Sequence, residues 1–308
     1  MRRIFVVLNA RAGTFLDHGV EQIRDGIRAA LSRGGAKVDV KLASGSAFTR
    51  ALDAAVAGDY DTIVVGGGDG SVSYAVRRLA GSDKTLGVVP CGTINLLARD
   101  LGMPGSIDAA IEALSETEPQ RIDLAFLNGR PFHTLSGIGF FAEMARAREE
   151  TRGFVLGRLA GAGLAALRAM HRTGVIDIAI DADGKRRNFG AAAVLVTNNR
   201  FAPDWRRPSL QSGKLEMHVA EEQGVLDKIR TGADLLAGTW RDNEGIRSYS
   251  AREIVLRPRG RHAWVSTDGE LSREASPLHY ELRPAQLTVL VHRPGEEKRR
   301  RSENAAVV

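Results

Sequence analysis

The sequence predicts an α/β protein: an N-terminal doubly wound, Rossmann-like domain, followed by a C-terminal antiparallel β-rich domain of the β-sandwich kind. Three observations predict this. In the early part of the chain, short β-branched runs alternate with amphipathic helical patterns, as in a parallel sheet covered by helices on both faces. Two of those runs end in glycine turns, Gly66-Gly67-Gly68-Asp69-Gly70-Ser71 and Pro90-Cys91-Gly92-Thr93-Ile94-Asn95. From Ile122 onward the helical pattern gives way to short alternating segments set apart by turn pairs such as Asp183-Gly184 and Asp268-Gly269.

Taken in order, residues 3–9 read as a buried strand ending in Asn9-Ala10-Arg11-Ala12-Gly13. An amphipathic helix over 20–32, closed by Gly34-Gly35, and a strand over 37–42 complete a βαβ unit. A helix over 47–57 leads to the strand 62–65, the first glycine turn and a helix over 72–79; the strand 85–89 then runs into the second glycine turn. The later strands are expected at 124–127, 175–180, 192–197, 215–219, 252–256, 262–265 and 287–291, interrupted by a glycine-containing helix over 154–171. The domains are accordingly placed at 1–122 and 123–294, with a basic, disordered tail at 295–308.

With 308 residues, 43% hydrophobic and 26% charged, the chain has room for two cores. A net charge of +6 and a pI near 9.7 favour anionic partners, among them phosphates, nucleotides and lipid headgroups. The basic residues are scattered without aromatic interleaving, so nucleic acid is not an expected partner. A single cysteine, Cys91, excludes an intrachain disulfide and a cysteine-based zinc site. No apolar leader and no run of about 18 apolar residues occurs, so a cytoplasmic protein without a bilayer-spanning segment is expected.

Strand, glycine loop, helix is the geometry of a phosphate site, because glycines allow close approach to the main chain and a helix N-terminus offers N–H donors to an anion. Asn9, Gly13, Gly67, Gly68, Gly70, Ser71, Thr93 and Asn95 are the candidates for holding ATP. An acid inside an anion cradle needs a cation beside it, so Asp69 points to Mg²⁺ carried on the nucleotide or to a proton acceptor. The bland readings stay open here: glycines that simply make tight turns, with Asp69, Thr93 or Asn95 as helix caps. For Asp268-Gly269 the bland reading is a two-residue hairpin, which is compatible with delivery of Glu270 into a site.

The glycine motif, followed by Pro90-x-Gly92-Thr93-x-Asn95-x-x-Ala98-Arg99, resembles the catalytic domain of the diacylglycerol kinase family, which includes bacterial lipid kinases and sphingosine and ceramide kinases. Asn9–Gly13 is similar to that family's nucleotide loop. Arg121-Ile122-Asp123-Leu124, with Phe132 and Ser136-Gly137-Ile138-Gly139, resembles its interdomain strands, and Asp268-Gly269-Glu270 its late Asp-Gly-Glu. The resemblance implies transfer of the γ-phosphoryl group of ATP, with Mg²⁺, to the hydroxyl of a diacylglycerol-like or sphingoid-like lipid at a membrane surface, with a role in lipid metabolism. It implies Asp69 and Glu270 as catalytic residues, Glu270 as general base, and peripheral membrane contact; a homodimer is compatible with it. Three departures stand out: Leu96 and Tyr74 occupy positions that are commonly acidic in the family, and Gln211-Ser212-Gly213-Lys214-Leu215 stands where Asp-Asp-Gly-x-Leu is usual, which puts a structural metal in the second domain in doubt. The alternatives are therefore a soluble-substrate kinase of the NAD kinase type and a catalytically silent nucleotide- or lipid-binding regulator.

Overall fold

A strand covered on both faces must be apolar at consecutive positions, and β-branched side chains suit its pleated backbone. Arg3–Asn9 (β1), Thr62–Gly67 (β3) and Thr85–Pro90 (β4) meet this condition: Val6, Val7, Leu8, Ile63, Val64, Val65, Leu86 and Val89 are wholly buried. The computed structural model describes residues 2–13, 19–151, 176–202, 205–221, 243 and 245–293. The chain divides into two units, Met1–Ile122 with the chain from Ala285 onward, and Asp123–Pro284.

In the first unit Lys37–Ala43 (β2), β1, β3 and β4 form a parallel sheet in the spatial order β2-β1-β3-β4. The chain leaves β1 to one side for β2 and returns on the other for β3, so the ends of β1 and β3 lie at a switch in strand order, where ligands of open α/β sheets collect. The helices Val20–Ser32 (α1), Gly45–Ala57 (α2), Asp69–Leu79 (α3), Leu96–Asp100 (α4) and Ile107–Ala113 (α5) accompany the sheet. Helix α3 begins three residues before the predicted start at 72, because the carbonyl of Gly68 already accepts from the amides of Ser71 and Val72.

The sequence assigns everything from 123 to 294 to the second domain. Strand Leu278–His292 (β15) departs from this: its later part lies in the first unit, where Thr288 and Val289 pair with Thr85 and Leu86, and His292 donates its amide to Leu101. An alternating apolar run looks alike whether it extends a parallel sheet or an antiparallel one, so the pattern alone does not choose.

The second unit is antiparallel in every pairing described. Its strands include Leu135–Gly139 (β7), Ile176–Ala182 (β8), Lys185–Asn198 (β9), Leu215–Glu221 (β10), Ile246–Ala251 (β11), Glu253–Pro258 (β12), His262–Thr267 (β13) and Glu270–Ala275 (β14). They run in the order β14-β13-β7-β9-β8-β12-β15, with β10 pairing β9 and β11. Strand β9 is 14 residues long, enough to pair β8 with its first half and β7 with its second. Thr117–Leu127 (β5) pairs with Arg130–Phe132 (β6), and Phe140–Thr151 (α6) follows β7. Asn128-Gly129, Asp183-Gly184 and Asp268-Gly269 all have positive φ at both residues, the conformation of tight hairpins whose twist matches the flanking strands. The core gathers Phe132, Ile138, Val194, Val196, Met217, Ile254, Leu256 and Val265 around Tyr280, whose hydroxyl meets Ser136 Oγ at 3.1 Å. Burial pushes the Tyr280 phenol well above its ordinary range, so the hydroxyl is neutral there. The helix expected over 154–171 and the tail at 295–308 lie outside the described residues.

Candidate active site

Register brings the predicted loops together. Leu8 pairs with Gly66 and Gly67 with Pro90, so β1, β3 and β4 end side by side along one sheet edge. Asn9 Nδ2 donates to Ser71 Oγ at 2.9 Å, while Asn9 Oδ1 accepts the Arg11 amide at 3.1 Å, so one side chain ties the first loop to the start of α3. The glycines are there for closeness. A Cβ on Gly92 would stand 2.6 Å from Gly68 Cα, and one on Gly67 would stand 2.7 Å from Ser71 Oγ, so the two glycine turns pack main chain against main chain. Beside Gly13 and Gly70, by contrast, an added Cβ would meet nothing within 4 Å among the described residues. Open space at the N-terminus of α3, where first-turn amides precede the helical ladder, is what an approaching phosphate requires.

Asp69 heads α3, but its carboxylate reaches across to the second turn. Oδ1 accepts the Leu96 amide at 2.9 Å and Oδ2 the Asn95 amide at 3.2 Å, so Asp69 satisfies the opening donors of α4. Each oxygen keeps further acceptor capacity. Asn95 sits at φ 51 with its side chain folded back on Gly92, accepting from the Gly92 amide and donating to its carbonyl, both at 2.8 Å. Thr93 is exposed at the tip of the same turn. Cys91 is buried behind it, and burial pushes its thiol up to about 12, so it is no nucleophile near neutral pH.

In the second unit the late Asp-Gly-Glu divides its labour. The Asp268 carboxylate, 3% exposed, accepts the amides of His133, Thr134 and Leu135 and the Thr134 hydroxyl, and lies 3.6 Å from His133 Nε2. Asp268 is thus an internal anchor for the segment leading into β7. Glu270 opens β14 on the far side of the turn, opposite Thr267, and is exposed. Asp268 is the site-forming residue that motif reading left without a role; the signal was its place in the motif, but nothing in a sequence shows which amides a carboxylate will collect.

The departures have local explanations. The Tyr74 hydroxyl is held by the Asp53 carboxylate at 2.9 Å, and Arg78 Nε meets the same carboxylate at 2.7 Å, so Tyr74 closes a polar contact between α2 and α3. Leu96 contributes its amide to Asp69 instead of a carboxylate. At 211–213 the Ser212 amide and hydroxyl donate to Asn199 Oδ1, and the Gly213 amide donates to Asp123 Oδ2 at 2.9 Å. These are donors facing inward, and no group of three or more His, Cys, Asp or Glu able to hold an ion occurs among the described residues. The described residues at 211–213 therefore present donors where a protein-held cation would need acceptors. Asp69, a single carboxylate, fits Mg²⁺ only as an ion carried chiefly by nucleotide phosphates.

The first unit thus has parallel strands ending in closely packed glycine turns, and the second is an antiparallel unit with an anchored Asp-Gly-Glu hairpin. The family model for the diacylglycerol kinase catalytic domain matches residues 3–127, and that for the YegS C-terminal NAD kinase β-sandwich-like domain matches residues 138–291. A diacylglycerol kinase of Bacillus subtilis is 30% identical over 220 residues, 68% of this chain and 71% of that protein. An uncharacterized protein of Synechocystis is 27% identical over 203 residues, 63% of this chain, which spans about half of that relative (47%). The crystal structure of a diacylglycerol kinase from Bacillus anthracis shares the fold at a TM-score of 0.68 and 19% identity, over 95% of this chain and 97% of that one. This chain belongs to the diacylglycerol kinase family, and has its two-domain fold.

Proposed function

We propose that the protein is an ATP-dependent lipid kinase that transfers the γ-phosphoryl group to a lipid hydroxyl, diacylglycerol-like or sphingoid-like, within lipid metabolism. The observation that carries this is the convergence of Asn9, the Gly66–Ser71 turn and the Gly92–Asn95 turn at one edge of the parallel sheet, with open space among the described residues beside Gly70. Amides at the start of α3 hold phosphates, Ser71 and Thr93 add hydroxyl donors, and Asn9 and Asn95 fix the loops that present them. Asp69 keeps the two turns in register and takes a share of the nucleotide-borne Mg²⁺, which when bound disperses charge on the transferring group. The lipid hydroxyl oxygen forms its bond to the γ-phosphorus as the bond to the β-γ bridging oxygen breaks; ADP leaves, and the hydroxyl proton passes to the Glu270 carboxylate. The lipid acceptor places the protein at a membrane surface as a cytoplasmic, peripheral enzyme; no described helix is long and apolar enough to cross a bilayer.

The commitment of Tyr74 to Asp53 and of the Leu96 amide to Asp69 favours, as second reading, a nucleotide- or lipid-binding regulator without turnover. The deciding experiment is transfer of labelled phosphate from Mg-ATP to a panel of lipids in mixed micelles, with NAD and a lipid-free control, for wild type, Asp69→Ala and Glu270→Ala. Labelling of a lipid by wild type, with at least about a hundredfold loss in both variants, is the expected result. Labelling of NAD alone would move the substrate to the soluble class, and ATP binding without any acceptor labelled would make the regulator the better reading.

A further inference from the structure

Charged groups are rarely buried unless compensated, yet the second unit encloses Asp123, Asp268 and Arg207, each 5% exposed or less. Arg207 Nη1 donates to the carbonyl of His133 and lies 3.4 Å from that of Asn198, while its guanidinium sits 5.3 Å from the centre of the Phe201 ring. The same segments are cross-braced by Asn198, whose Nδ2 donates to the carbonyls of Asp123 and His133 and whose amide donates to the carbonyl of Thr134. Carbonyls from two stretches distant in sequence, those of His133 and Asn198, thus turn toward the buried guanidinium, while Asn198 serves those of Asp123, His133 and Thr134. A guanidinium suits this arrangement, because a planar fork with five N–H donors and a weakly held hydration shell can serve several carbonyls at once.

The geometry points to Arg207 as the built-in cation of the second unit, doing with a side chain what a bound divalent ion would otherwise do for these carbonyls. Its leverage is local. His133 gives its carbonyl to Arg207 and its amide to Asp268, and Thr134 and Leu135 give their amides to Asp268 as well, so Arg207 positions the strip against which the Asp268–Glu270 turn is set. The inference goes beyond the kinase reading and does not depend on it, since neither arm of its test uses turnover.

The first arm is thermal unfolding of the full chain in EDTA, in Mg²⁺ and in Ca²⁺. An ion bound only by the folded state raises the melting temperature, so curves that coincide within about 1 °C are expected. The second arm compares Arg207→Lys, which keeps the charge, with Arg207→Met, which keeps the length alone. Arg207→Met is expected to melt lower than Arg207→Lys, and its amide exchange over residues 132–136 to accelerate at least about tenfold more than over residues 62–67 of β3. A wild-type melting temperature that rises with either divalent ion would overturn the proposal, as would equal losses in the two variants or unchanged exchange over 132–136. Should neither substituted chain fold, the wild-type arm decides alone.

Discussion

The contact between the two glycine turns makes a prediction with opposite outcomes at neighbouring positions. In Gly92→Ala the new methyl would stand 2.6 Å from Gly68 Cα and 2.8 Å from Asn95 Oδ1. The first is backbone; the second is a side-chain terminus already tied to the Gly92 amide and carbonyl. One turn must therefore shift, at an overpacking cost of about 1–3 kcal/mol. At about 2–4 °C per kcal/mol, that is a melting temperature lower by roughly 2–12 °C. If these turns hold phosphate as proposed, a displacement approaching 1 Å there also costs roughly a hundredfold in rate. Gly70→Ala is the counterpart. It lies in the first turn of α3 with nothing within 4 Å of the added methyl, so the folded state tolerates it or gains up to about 1 kcal/mol. Under the proposed function its methyl would instead enter the space assigned to phosphate, with ATP affinity reduced about tenfold or more, equivalent to roughly 1.4 kcal/mol. Differential scanning fluorimetry and ATP titration calorimetry on both variants read the two effects apart. Wild-type melting and ATP binding in Gly92→Ala would refute the packing argument, and wild-type ATP affinity in a stable Gly70→Ala would refute the assignment of the open space to phosphate.

Other expectations follow from the same geometry. Asp69→Asn keeps one oxygen acceptor, now uncharged, and turns an NH2 donor toward the other amide, so one of the two hydrogen bonds is lost; this should cost about 1–3 kcal/mol in urea denaturation, whatever it does to activity. Asp268→Ala strands the amides of His133, Thr134 and Leu135 and should destabilise by more than about 3 kcal/mol, whereas Glu270→Ala, at an exposed position, should stay within about 0.5 kcal/mol of wild type. Equal melting of these two variants would contradict the division of roles within the motif. Burial raises the Cys91 thiol from 9.0 to about 12, so the thiolate fraction in the folded protein at pH 8 is lower than in the unfolded chain by a factor on the order of 1,000; iodoacetamide should label Cys91 only as fast as the protein opens. Tyr74→Phe removes the hydroxyl held by Asp53 and should cost about 1 kcal/mol, measured by the shift in denaturation midpoint.

What the sequence determined by itself was what depends on near neighbours in the chain. Buried β-branched runs, glycine turns at their ends and the three Asx-Gly pairs fixed the parallel unit, the hairpins and the places where the glycine loops lie, because strand period and positive φ are local properties. The tertiary structure alone decided which distant groups meet. Nothing local distinguishes the Asp69 carboxylate, spent on the amides of Asn95 and Leu96, from a free acid in a glycine loop, nor the buried anchor Asp268 from an exposed hairpin residue. Nothing local places Arg207 under the carbonyls of His133 and Asn198, or returns the chain at Ala285 to pair beside β4. Hydrogen-bond partners and strand neighbours far apart in sequence are settled when burial leaves a polar group or sheet edge only one way to be satisfied, and that constraint exists only once the chain has folded.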